Sequence, residues 1–317
     1  DIARYPTASA VWSIQYDGQT TYPWFTEMGE PHASQIIETI PVFTAQDFET
    51  MNDNLFGNFE LQNDIDFSSY TGLTQAFIQG RFSGNISGAG YTLTGLEIDG
   101  TGNKDIGLFY GIEGGTIENL TISAFNLTGS SHTSTLGWVI DAVEPVRFSN
   151  ILVTNSYISD DDVIAGVGNY TSGLSSIIAD ANVSISRVHV NSNILGAEVA
   201  FQGGLIAYVT GPTSIEINNS TFSGISSNAP SNGGFIGALY DDGNRPININ
   251  ITGDNISNLG EITGNSNIGH IIGQIHFVNV INLTNININS SSDIRLVGSD
   301  TSSGTITVLT DGSITKP

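Results

Sequence analysis

The chain has 317 residues, no cysteine, and 31 acidic against 8 basic residues, for a formal net charge of −23. Without cysteine, disulfides, thiolate metal sites and a cysteine nucleophile are excluded. The basic residues stand singly along the sequence, so the clustered cations that nucleic acids and anionic membranes require are missing, and neither is expected as a partner.

Hydrophobic residues make up 39% of the chain, enough for a core and against wholesale disorder. No apolar run approaches the roughly 20 residues of a membrane-spanning helix. The sequence opens at Asp1, without methionine or a signal peptide, which suits a processed exported protein and a trimmed chain equally.

Residues 1–40 carry Tyr5, Trp12, Tyr16, Tyr22, Trp24 and Phe25 and share no pattern with the rest of the chain. Val11 to Tyr16 reads as a strand running into a turn at Asp17-Gly18. Trp12, Tyr16, Tyr22 and Trp24 are candidates for contacting a glycan or partner protein. Packing as a lid on the chain's own body is the plainer use of such aromatic area. Thr44-Ala45-Gln46-Asp47 is a capping-box-like helix start, followed by Phe48, Met51 and Leu55 at helical spacing and by Gly57. The expectation is one capping helix near 45–54. From Phe59 the period changes to two, and Asp64 and Asp66 fall on the same face of a short strand.

Between Ile106 and Asn289 two markers recur. A glycine before apolar residues stands at Gly107, Gly137, Gly173, Gly204, Gly234 and Gly269, with spacings of 30, 36, 31, 30 and 35. An asparagine, or Arg187 in its place, stands at Asn119, Asn150, Arg187, Asn219, Asn250 and Asn282, with spacings of 31, 37, 32, 31 and 32. Such a period means stacked repeats. With layers ~4.8 Å apart, Leu108, Trp138, Leu174, Leu205 and Phe235 should form one apolar column. Ile117, Phe148, Ile185 and Ile217 should form another, and the asparagines a hydrogen-bonded ladder at a turn. Past Asn289 the pattern fades, with Thr305 to Leu309 as a last strand. No second capping helix is foreseen, so that end is expected to stack on a partner or to continue into further chain.

The string Phe43-Thr44-Ala45-Gln46-Asp47-Phe48, Gly57-Asn58-Phe59, Asn63-Asp64-Ile65-Asp66, Gly88-Ala89-Gly90-Tyr91, Gly107-Leu108-Phe109 and Gly114 to Leu120 resembles the capped start of the GLUG-type repeat proteins. The likeness covers roughly residues 41–290 and is strongest up to Ile122. It implies an all-β, right-handed parallel β-helix of the secreted or surface-attached kind. The resulting division is an aromatic segment 1–40, a helix and first coils 41–100, a six-repeat solenoid 101–290, and a tail strand within 291–317.

The chemistry-bearing residues do not assemble into an active site. Asp64 and Asp66 have roughly the separation of a glycosidase pair, yet turn bracing is the better reading. Asp160, Asp161, Asp162, Asp241 and Asp242 are weak calcium candidates in loops, without the spacing of a dedicated cation loop. The histidines His32, His132, His189, His270 and His276 lack zinc spacing, and His270 is read as replacing an apolar residue of the column. Among many N-x-S/T sequons, several coincide with the ladder, which leaves loop sites such as Asn126, Asn169 and Asn255 as glycosylation candidates. The expectation is a non-enzyme with no cofactor beyond possible calcium, acting outside the cell or on its surface. It would be an adhesin or a filament subunit, with like subunits or surface glycans and proteins as partners. The alternative is a polysaccharide-binding or tailspike-like polysaccharide-cleaving β-helix.

Overall fold

The structure, a computed structural model, describes residues 12–16, 21–25, 38–160, 169–196, 200–227, 229–240, 247–252, 256–258, 261–262, 267–276, 280–284, 286–288, 297–300 and 305–309. Two compact units are distinguished, Asp1–Glu38 and Thr39–Pro317. In the first, Trp12–Tyr16 and Thr21–Phe25 form an antiparallel pair, with Trp12 opposite Phe25 and Tyr16 opposite Thr21.

The second unit is a parallel β-solenoid. Its first sheet has 19 strands, and two further sheets have six and eight. A complete coil visits the three in turn: Val146–Asp160 lies in the first sheet, Asn169–Ser172 in the second and Ser175–Ala179 in the third. Every described pairing in this unit is parallel, as stacking of like layers requires.

The N-terminal layer is closed as the sequence suggests. Ala45–Glu49 is helical and runs into a 3-10 turn at Thr50–Asp53. The Asp47 amide donates to the Thr44 hydroxyl at 3.1 Å, while the Thr44 amide donates to the Asp47 carboxylate at 3.0 Å. This reciprocal pair satisfies amides that would otherwise lack partners. Phe48 and Met51 are fully buried, so the helix lays its apolar face over the first coils.

On the first sheet most inward side chains are apolar and most outward ones polar, with Leu152, Tyr157 and Ile225 as exposed exceptions. Phe59, Ile86, Ile117, Phe148, Ile185, Ile217 and Ile251 stand in one column, each opposite the next. All are at most 2% exposed. The second expected column forms with one correction. Leu108, Leu136, Leu174, Leu205, Phe235 and Ile271 are all buried in the main core, and the chain hydrogen bonds link Leu108 to Thr135, Leu136 to Leu174, Leu174 to Leu205, and Phe235 to Ile271. Trp138 is not among them. It lies opposite Gly111 on the third sheet, in a separate cluster. The glycine-to-glycine spacing misses a two-residue shift in that coil, which places Leu136 where Trp138 was expected. Likewise Ile271, not the half-buried His270, continues the column.

The asparagine ladder is a row of left-handed corners. Asn119, Asn150, Arg187 and Asn219 have φ of 56°, 52°, 53° and 49°. Asparagine tolerates this region better than other side-bearing residues, and the Asn150 side-chain Nδ2 donates to the Asn119 side-chain Oδ1 at 2.9 Å. Asn250 and Asn282 do not belong to the row. They pair with each other, and Asn250 pairs with Glu216, three residues before Asn219. The strand Ile247–Thr252 is in extended conformation at Asn250, so that asparagine occupies an ordinary outward position.

Candidate functional site

Where the second sheet meets the third, the pattern of the first sheet is inverted. On the second sheet Thr133, Thr171, Gln202 and Asn232 stand in register and are fully buried. The two amides brace the turn that leaves the first sheet. Gln202 donates to the Ile194 carbonyl at 2.6 Å and accepts from the Gly196 amide at 3.0 Å. One coil later Asn232 donates to the Ser226 carbonyl at 2.9 Å and accepts from the Ser226 hydroxyl at 2.7 Å.

The outer faces of the two sheets then carry the rings. On the second sheet His132, Tyr170 and Phe201 are in register. On the third, Val139 and Ile178 enter the core, which turns Trp138, Ile140, Ile177 and Ala179 to the opposite face. Tyr208 lies opposite Ile177, and Tyr240 opposite His276. The Tyr170 and Tyr208 ring centroids are only 4.7 Å apart, and those of Phe201 and Tyr208 5.3 Å. Outward side chains of two adjoining sheets meet this closely only if the corner is re-entrant. In the downstream coils the two strands at this corner approach too closely for a side chain. A Cβ added at Gly203 would lie 1.8 Å from the Ile206 carbonyl oxygen, and one at Gly233 1.9 Å from that of Ile236.

The ring contacts fall into two groups, one running from His132 through Tyr170, Phe201, Tyr208 and Tyr240 to His276, the other joining Tyr110 to Trp138. Tyr170 and Phe201 stack at 5.8 Å with 9° between planes, and Tyr240 and His276 at 4.5 Å with 16°. Tyr110 meets Trp138 edge to face at 5.2 Å, and the Arg81 guanidinium sits 5.0 Å over the Trp138 ring while paired to Glu113. Burial in this row pushes the Tyr170 phenol above its ordinary pKa. Tyr240 remains 42% exposed.

At the upstream end the row opens into a cavity of about 280 Å³ lined by Gln75, Gln79, Asn103, Lys104, Asp105 and Tyr110, among others. Both walls of the row begin there. Tyr110 leads to Trp138, and Asp105 is held 2.5 Å from His132 Nδ1, whose ring lies 5.3 Å from Tyr170. The cavity exists because the six-stranded sheet starts at Asp105–Ile106, leaving the preceding coil without a strand to fill the space.

No family model and no curated protein matches the chain. Among solved structures, a Bacteroides ovatus protein provisionally named an immunoglobulin A1 protease is similar, with a TM-score of 0.58 and 15% identity over 84% of this chain and 83% of that one. The likeness is one of fold.

The sites expected from sequence are distributed differently. Trp12, Tyr16, Tyr22 and Trp24 fall on the two strands of the first unit, their side chains outside the described residues. Asp64 accepts from the Thr92 amide of the next coil and Asp66 from the Ser68 amide, both at 2.8 Å, so Asp66 braces a turn while Asp64 ties two coils together. Hydrogen bonding from Ser68 also holds the Asp66 carboxyl below its ordinary pKa. Asp160 does not project from a loop but is buried at the end of strand Val146–Asp160. Asp161, Asp162, Asp241, Asp242 and Asn255 lie outside the described residues. No group of three or more metal-ligating carboxylates or imidazoles occurs among the described residues. Asn126 is exposed, at the start of a strand rather than in a loop. Asn169 is fully buried in strand Asn169–Ser172 and cannot carry a glycan on the folded chain. The aromatic row itself was missed. Its sequence signal is a single ring residue within a short segment of a repeat, as in Asn169-Tyr170-Thr171 and Ala207-Tyr208-Val209.

Proposed function

We propose that this solenoid is a non-catalytic binding body acting outside the cell or on its surface, as an adhesin or a subunit of a surface filament. Its recognition face is the aromatic corner between the second and third sheets. The observation that carries this reading is the set of rings itself, gathered on the outer faces of two adjoining sheets along several stacked coils: Tyr110, Tyr170, Phe201 and Tyr208 are half-buried, Tyr240 is exposed, and Trp138 is buried among its neighbours. Aromatic rings combine apolar area with polar tips and are favoured where surfaces are recognised. The resemblance of residues 41–290 to GLUG-type repeats supports the surface setting by analogy.

A second reading has one observation in its favour. Asp105 and His132 form a carboxylate–imidazole pair beside a cavity, which is the composition of an acid–base site. Incubation with a polysaccharide panel separates the two. Retention on polysaccharide without release of new reducing ends is expected, with retention reduced by the double substitution Phe201→Ala, Tyr208→Ala. Release of fragments that stops on Asp105→Asn would replace the binding account with a hydrolytic one.

A further inference from the structure

We infer that the cavity at the upstream end of the row is a subsite for one uncharged sugar residue of an extended saccharide. The inference rests on the binding reading above and specifies its ligand. Within the row, Tyr170 and Phe201 are stacked at 9°, and Tyr240 and His276 at 16°. These rings cover one another's faces and offer mainly edges to a ligand. The cavity differs, because Tyr110 lines it beside the Gln75, Gln79 and Asn103 amides and the Asp105 carboxylate. Adjacent sugar hydroxyls each donate and accept; side-chain amides can answer both, and a carboxylate accepts. An aromatic wall beside a few polar groups is the usual composition of a small-ligand site.

Charge selects among saccharides. With 31 acidic and 8 basic residues the chain repels a polyanion. Lys104 and Asp105 both line the cavity, so its wall carries a charge of each sign and not a lone cation for an acidic sugar. A peptide added as an extra strand is disfavoured by geometry. The edge strand at the cavity, Asp105–Ile106, is two residues long, well short of the roughly 5–6 residues of an ordinary strand.

Calorimetric titration of the intact chain with neutral gluco-, manno- and N-acetylglucosamine hexasaccharides, with oligogalacturonate as the anionic arm and an unstructured neutral peptide as the third, tests the assignment. Binding of at least one neutral hexasaccharide is expected. Gln79→Ala and Tyr110→Ala should each weaken it by roughly tenfold, the loss of one or two well-made contacts, with circular dichroism melting unchanged within a few degrees. Lys104→Gln should change it less than about threefold. Preference for oligogalacturonate, abolished by Lys104→Gln, would overturn the neutral-sugar assignment while leaving a binding protein. Peptide binding alone would do the same. Sugar binding lost on Tyr208→Ala but untouched by Gln79→Ala and Tyr110→Ala would move the subsite from the cavity to the row. Cleavage of the titrant would instead remove the binding reading beneath the proposal.

Discussion

The first sheet and the corner of the other two are built from the same coils by opposite rules. On the first sheet the interior is aliphatic and aromatic, the exterior mostly polar, and successive coils bend at left-handed corners at Asn119, Asn150, Arg187 and Asn219. At the corner the interior carries Thr133, Thr171, Gln202 and Asn232, and the rings are outside. The first arrangement holds layers together through burial. The second buries polar side chains, of which the Gln202 and Asn232 amides are hydrogen-bonded to the turn, and carries its rings on the outer faces.

The contrast can be broken by substitution. The largest effect is expected at Phe148, fully buried between Ile117 and Ile185. Phe148→Ala should cost about 3–5 kcal/mol in denaturant unfolding, whereas Tyr240→Ala, at an outer ring that is 42% exposed, should cost less than about 1 kcal/mol. A result with Tyr240 the costlier would mean that the rings are structural. Next comes Gln202→Leu, which keeps volume but strands the Ile194 carbonyl and Gly196 amide. The expected loss is about 1–3 kcal/mol, measured the same way. No loss would show that the polar interior is incidental. Smaller and of opposite sign, Arg187→Asn should raise stability by about 1 kcal/mol, because a left-handed conformation suits asparagine better than arginine. An unchanged melting temperature would mean that the side chain's other contacts offset the strain.

The last test concerns pH. His189 accepts or donates a 2.8 Å hydrogen bond with Thr221, and desolvation holds its imidazole below the ordinary pKa of 6.5. In the window just below 6.5 the unfolded chain binds the proton more readily than the folded one, so stability rises with pH there and falls as pH drops. Melting temperature should therefore decline from about pH 7 toward about pH 5, and His189→Gln should flatten that slope. An identical slope in the variant would assign the decline to the carboxylates.

The legible part of this molecule was the part whose marker residues serve backbone and core together. The capping box at Thr44 and Asp47 and the column from Ile117 to Ile217 can be read from spacing alone, because their side chains bond and pack locally. The repeat count slipped where coils differ in length. Gly137 and Asn250 carry the right residue type at the right period, yet neighbouring loops shift the register by two or three residues, and a marker cannot report that. The candidate site was hidden for a different reason. Tyr170, Phe201 and Tyr208 are aromatic residues in strands, which read as core unless the side facing outward is known, and that depends on a re-entrant corner between two sheets. Asn169 shows the converse, a sequon in an apparently open stretch that lies wholly inside.

The register of the coils also bears on how such a molecule can change. Phe148, Ile185 and Ile217 succeed one another with matching neighbours, so duplicating or deleting one whole turn downstream of Trp138 would join surfaces that already fit. The row of rings would lengthen or shorten by one step while the cavity around Tyr110, lying upstream of the change, kept its walls. Reach and selectivity would then be inherited separately, the first counted in turns and the second written in a handful of side chains.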